Sequence, residues 1–204
     1  MTEQEKMLAG KIYDPTDAVL YALRAKAHRL SKDYNDTYDD DDEAREAILA
    51  QLLPHRGENS YFQGPIQFDY GVFTTVGRNF YANFNFTVLD CCPVTIGDDA
   101  FFGPNVTLVT PMHPLRFEDR NVKRRGSGFT DDEYAKPIVI GDNCWLSAGV
   151  TVCGGVTIGE GCVIGAGSVV TRDLPPHTLA AGTPCRPIRA ITAADALKDK
   201  RELF

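Results

Sequence analysis

The chain has no apolar stretch suited to crossing a bilayer or serving as a secretory leader. It opens Met1-Thr2-Glu3-Gln4-Glu5-Lys6, and no later window approaches the length of a spanning helix. A cytoplasmic, soluble protein is expected. Positive charge is scarce too: 21 Lys and Arg stand against 28 Asp and Glu, for a net charge of -7. That is the wrong sign for general binding to nucleic acid or anionic membrane, both of which need a basic surface. The one basic cluster, Lys123-Arg124-Arg125, lies in polar sequence and reads as a solvated charge run. Histidine is limited to positions 28, 55, 113 and 177, and Trp145 is the only tryptophan. Six cysteines are present, but without a secretory leader the even count does not argue for disulfides, because cytosolic thiols stay reduced.

What the chain does have is a period. Ile140, Leu146, Val152, Ile158, Ile164 and Val170 recur at six-residue intervals, each usually followed by Gly or another small or polar residue. Self-similarity at so short a spacing marks a solenoid of stacked β coils. Three hexapeptides make one triangular coil, so residues eighteen apart stack: Ile140 with Ile158, Leu146 with Ile164, and Cys144 with Cys162 as free interior thiols. Hairpins rich in Val and Gly would not hold one register through so many units. The expected architecture is mainly β: a parallel β-helix over 61–187, helices within 1–60 packed on it, an extruded loop at 114–136 and a tail at 188–204. Some 50 residues seldom bury enough core to stand alone.

Ahead of the repeats, Thr16 or Asp17 can cap a helix with Val19, Leu20, Leu23, Ala27 and Leu30 on one stripe. An acidic link at 39–42 offers caps for a second helix through Ile48, Leu49, Leu52 and Leu53, which Pro54 ends. Hexapeptides can be read from Val76, Ala82 and Val88, after which an eight-residue step containing Cys92-Pro93 resets the register to Ile96, Phe102 and Leu108. The period is then lost until Ile140. Loops on rigid scaffolds tend to carry function.

His113 stands at the mouth of that loop. If Leu108 and Met112 point inward, alternation turns His113 outward, where an imidazole can accept a proton near neutral pH. Trp145 occupies the same outward slot, which suits a subunit interface, a ligand surface or packing under the N-terminal helices. The run 79–85, Asn-Phe-Tyr-Ala-Asn-Phe-Asn, is either an asparagine ladder at solenoid corners or a set of hydrogen-bonding groups for a polyhydroxy ligand.

These features together resemble the hexapeptide-repeat sugar O-acetyltransferases of the maltose and galactoside type. The resemblance is carried by the stretches 5–10 (Glu-Lys-Met-Leu-Ala-Gly), Phe68-Asp69-Tyr70-Gly71, 79–85, Pro104-Asn105-Val106 and His113-Pro114. It continues in 140–145 (Ile-Gly-Asp-Asn-Cys-Trp), 167–171 (Gly-Ser-Val-Val-Thr) and 181–186 (Ala-Gly-Thr-Pro-Cys-Arg). It implies a left-handed winding, which the period alone does not give, and a homotrimer with active sites between subunits. It also implies direct acetyl transfer from acetyl-CoA to a sugar hydroxyl, with no metal required. By the same resemblance His113 is the general base and Asn83 orients the reacting groups. Asp69 and Asp90 bond the acceptor, Trp145 lies against the pantetheine arm, and the Ala148 N–H meets the oxyanion. Ala166, Thr171 and Arg172 line the cofactor, and Arg186 and Arg189 meet its phosphates. Leu146-Ser147-Ala148 departs from the usual Ile and two small residues. Cys91 stands where some galactoside-type relatives carry a second carboxylate, which leans the chain toward the maltose-type branch.

Other readings are an N-acetyltransferase acting on an amino sugar and a non-catalytic scaffold. A zinc enzyme of the carbonic anhydrase type on this fold needs three histidine ligands with one close pair, and His113 has no histidine near it in the sequence.

Overall fold

The structure, a computed structural model, describes residues 1–126 and 128–199. Its body is a parallel β-solenoid with three faces. The first face stacks His55–Arg56, Thr74–Val76, Val94–Ile96, Ile138–Ile140 and Thr157–Ile158. The second stacks Tyr61–Phe62, Tyr81–Ala82, Phe101–Phe102, Trp145–Leu146 and Val163–Ile164, and ends in Thr178–Gly182 with Cys185–Ala190 antiparallel at its edge. The third stacks Ile66–Phe68, Phe86–Leu89, Thr107–Val109, Thr151–Cys153 and Val169–Val170. The solenoid thus begins one strand before the expected boundary at 61, and its last strand runs beyond 187.

The hexapeptide period is met in the pairing. Ile140 is in register with Ile158, and Leu146 with Ile164. Within each strand alternate residues are buried, as in Val94 and Ile96 around exposed Thr95, so the aliphatic column forms one continuous core. The small residue after each aliphatic has a steric cause. A Cβ on Gly97 would stand 2.6 Å from the backbone nitrogen of Asp142 in the next coil. Cys144 and Cys162 are buried and, like the other four cysteines, unpaired.

Three helices precede the coils: α1 (Glu3–Leu8), α2 (Ala18–Asn35) and α3 (Asp42–Leu52). α1 was not read from the sequence, although Thr2 and Glu5 form a capping box around its start. Asp17 caps α2 and Asp41 caps α3. Ala27, Tyr34, Leu49 and Leu52 join the solenoid core, so the helices cover the first coils rather than forming a separate core. Val19, expected on the buried stripe, is 57% exposed, and in the same first turn its neighbour Leu20 takes the buried place against Met7, Tyr13 and Tyr70. In the tail Thr192 caps only a short 3-10 turn, Ala193–Asp195.

Candidate active site

One corner of the triangle breaks the period. Between the third and first faces the early coils take eight residues rather than six, so Phe68 pairs with Val88 and Val76 with Ile96 at twenty-residue spacing. The longer corners hold Asp69-Tyr70 in one coil and Asp90-Cys91 in the next. One coil further the same corner opens into the loop 114–136, which contains α4 (Phe117–Arg120) and the hairpin Lys123–Arg125 with Gly128–Thr130.

The loop leaves and returns through an antiparallel neck, Pro111 opposite Ala135 and Met112 opposite Tyr134. Met112 is therefore half-buried in the neck and not a core residue of the coil, because the coil strand ends at Val109. The outward turn expected of His113 holds: it is exposed, and extending the neck register sets it against Glu133. Alternation then places Asp131 on the side of Glu133 and sends Asp132 the other way, where it binds Lys123 at 2.7 Å and Arg125 at 2.8 Å. Two of the three basic residues at 123–125 are thus consumed inside the hairpin. His113 Nδ1 lies 3.6 Å from Asp131 Oδ2, just beyond hydrogen-bond length.

The N-terminal segment braces this arrangement. Tyr13 Oη donates to Glu133 Oε1 at 2.5 Å, the Tyr13 N–H donates to the Glu133 carbonyl at 3.0 Å, and Thr130 Oγ1 donates to Asp14 at 2.6 Å. Burial, with Cys91 and Glu133 adding to it, pushes the Tyr13 phenol far above its usual range. Beside it the Cys91 thiol donates to Asp69 Oδ2 at 3.7 Å, His28 Nε2 stands 3.4 Å from Asp69 Oδ1, and Arg24 donates to the Tyr70 hydroxyl at 3.1 Å. Burial foremost, then Glu133, holds the Cys91 thiol well above the ordinary thiol range, so it is not a thiolate nucleophile. A half-exposed imidazole therefore faces the partly exposed carboxylate of Asp131. That suits proton removal from a hydroxyl and hydrogen bonding to its neighbours.

Asp90 does not belong to this surface. It is fully buried; its Oδ1 accepts from the Tyr70 N–H at 2.8 Å and its Oδ2 from Thr74 Oγ1 at 2.9 Å. Burial, partly offset by those donors, raises its carboxyl to about 6. The expectation that Asp90 bonds the acceptor is corrected: its carboxylate ties two coils together, and Asp69 alone of the pair is partly exposed.

The remaining expected residues lie elsewhere. Asn79 and Asn85 are ladder residues: Asn79 bonds Asn59 and Asp99, Asn85 bonds Asn105, and both have positive φ. Asn83 is outside the ladder. Its Oδ1 accepts from the Phe84 N–H at 2.8 Å, and its Nδ2 has no acceptor among the described residues. Asn83, Ala148 and Ala166 share the corner between the second and third faces, and the Ala148 N–H has no backbone acceptor among the described residues. Trp145, 53% exposed, continues an outward aromatic column of Tyr61, Tyr81 and Phe101 on the second face. Thr171 and Arg172 are exposed past the last strand of the third face, and Arg186 and Arg189 on the antiparallel edge strand. Arg189 is held by Asp195 at 2.7 Å, whereas Arg172 and Arg186 have no acidic partner among the described residues.

Tyr13, Arg24, Asp131 and Glu133 were missed from the sequence. The signal for two of them was present: an Asp131-Asp132-Glu133 run just before a strand places its outer pair on one side.

Comparison with known proteins bears on this geometry. Residues 6–57 match the model of the maltose acetyltransferase hexapeptide capping motif, 137–172 that of the bacterial transferase hexapeptide (six repeats), and 93–111 that of the hexapeptide repeat of succinyl-transferase. The chain is 40% identical to the galactoside O-acetyltransferase of Escherichia coli (strain K12), covering 96% of this chain and 92% of that protein. A solved galactoside acetyltransferase in complex with coenzyme A superposes with a TM-score of 0.86 at 38% identity, over 100% of this chain and 96% of that one. A maltose O-acetyltransferase from Clostridium difficile 630 gives a TM-score of 0.83 at 43% identity, over 94% of this chain and 98% of that one.

Proposed function

The chain belongs to the hexapeptide-repeat sugar O-acetyltransferase family of the maltose and galactoside type, and from that membership we propose that it moves an acetyl group from acetyl-CoA to a hydroxyl of a mono- or disaccharide or glycoside, with His113 as general base. The hydroxyl oxygen attacks the thioester carbonyl as the far nitrogen of His113 takes its proton. The tetrahedral intermediate collapses with loss of the CoA thiolate, which recovers the proton from the imidazolium. No acyl-enzyme intervenes, in keeping with the suppressed ionisation of Cys91. The carrying observation is the loop neck, which sets an exposed imidazole against Asp131, with no hydrogen bond to its second nitrogen among the described residues. A base so placed supplies about 10² to 10⁴ in rate.

The site is completed between subunits of a homotrimer. The His113 and Asp69 corner and the Asn83, Ala148 and Ala166 corner lie at opposite ends of the third face, so one chain does not hold both around one substrate. The outward column of Tyr61, Tyr81, Phe101 and Trp145, exposed except at half-buried Tyr81 and with Tyr61 and Tyr81 ring centroids 6.0 Å apart, supports coverage of the second face by another copy. In that arrangement Trp145 lines the pantetheine arm, Asn83 orients the reacting groups and Ala148 N–H meets the oxyanion. Ala166, Thr171, Arg172, Arg186 and Arg189 hold the rest of acetyl-CoA.

The test is release of CoA thiol from acetyl-CoA across a panel of sugars with one amino sugar included. Sugar-dependent release supports the reading. Release with the amine alone would make the chain an N-acetyltransferase, and no acceptor-dependent release would leave it a scaffold.

A further inference from the structure

We propose that His113, Asp131 and Glu133 form a binding site for a divalent transition ion of the Zn²⁺ or Co²⁺ class, and that the bound ion silences the imidazole. The binding stands on geometry alone; the silencing rests on the acetyltransferase reading.

The neck of the loop builds the trio. Cross-strand register sets His113 against Glu133, and two-residue alternation adds Asp131 on the same side. One donor atom from each lies within 4.8 Å of the others, and His113 Nδ1 stands 3.6 Å from Asp131 Oδ2. Donors about 2.0–2.2 Å from a tetrahedral ion lie roughly 3.3–3.6 Å apart, so small side-chain rotations close the cage.

The donor set also selects the ion. One imidazole nitrogen with two carboxylate oxygens suits zinc and its neighbours, whereas magnesium and calcium favour oxygen-only shells. Two acids against one imidazole leave a net negative site, and the nearby cations Lys123 and Arg125 are bound by Asp132. Tyr13 bonds the Glu133 side chain through Oε1 and its backbone through the carbonyl, which anchors the segment that carries both acids. The His113 and Asp131 side chains are 43% and 27% exposed, which leaves an entry path and open positions for water.

Ion binding at Nδ1 moves the ring's single proton to the other nitrogen, which then cannot accept one from a hydroxyl. The ion should therefore lower kcat without changing the KM for acetyl-CoA.

The test uses the full chain, stripped with chelator and titrated with Co²⁺ under visible absorption. Saturation at one ion per chain is expected, with loss of the signal in His113→Ala and weakening by more than about tenfold in Asp131→Asn and in Glu133→Gln, a loss that even a supporting partner causes. Cys153→Ser, which removes the one cysteine that is not buried, should leave the titration unchanged. A titration untouched by the three site substitutions, or no saturable binding, overturns the site. With acetyl transfer in hand, Zn²⁺ should reduce it in proportion to occupancy, EDTA should restore it, and Mg²⁺ should do nothing. Full occupancy with undiminished turnover overturns the silencing. Ion binding without acetylation of any acceptor counts against the acetyltransferase reading alone.

Discussion

His113 Nδ1 faces Asp131 Oδ2 at 3.6 Å across the neck of the extruded loop, and in the proposed mechanism this carboxylate, just ahead of the re-entry strand Tyr134–Ala135, orients the imidazole. Replacing Asp131 by Asn removes the charge and keeps the shape. The expected result is a fall in kcat of about tenfold, near 1.4 kcal/mol of barrier, with the sugar KM little changed. Steady-state kinetics check it, and an unchanged kcat would deny Asp131 a positioning role.

Two asparagines four residues apart should behave oppositely. Asn79 sits at φ 56° within the corner ladder, where Ala costs about 1–2 kcal/mol, so Asn79→Ala should lower denaturant stability while kcat stays near that of the parent. Asn83→Ala should cut kcat and leave the unfolding midpoint in place, because Asn83 has ordinary backbone angles and lies outside the ladder.

Asp90 makes stability depend on pH. Its carboxyl is raised from 3.8 to about 6 by burial, so the folded state binds the proton more tightly than the unfolded chain. That contribution is fully present below about pH 4 and is lost as pH rises through about 6, a swing of about 3 kcal/mol. Asp90→Asn should flatten this part of the stability profile, as urea unfolding from pH 4 to 7 would show. An equally steep profile in the variant would assign the dependence to other groups.

The proposed sharing of the site between subunits predicts complementation. Co-expressed His113→Ala and Asn83→Ala chains, each inactive alone, should yield mixed oligomers with partial activity, because some interfaces then pair an intact His113 corner with an intact Asn83 corner. Absence of any recovery in demonstrated hetero-oligomers would place both residues in a site within one chain.

The solenoid was legible because its cause is local and repeated: an aliphatic residue every six positions and a small residue where Gly97 meets the next coil's backbone. Trp145 and His113 were legible as outward-facing residues for the same reason, since alternation follows from strand geometry. Asp90 was misread because its sequence position puts it beside Cys91 at the site corner. Only the fold shows that Tyr70 and Thr74 take up both carboxylate oxygens. Tyr13 and Arg24 escaped notice because their partners lie 120 residues away for Tyr13 and 46 for Arg24. No local pattern marks a contact between the N-terminal segment and a loop that the period does not cover.

The most direct measurement is the rate of CoA thiol release from acetyl-CoA with the best sugar acceptor, for the parent chain and for His113→Ala at matched thermal stability. A fall of about 10² to 10⁴ in kcat is expected for loss of the general base. Equal rates from the two proteins would contradict the assignment of His113 as the base, and with it the placing of the site at the loop neck.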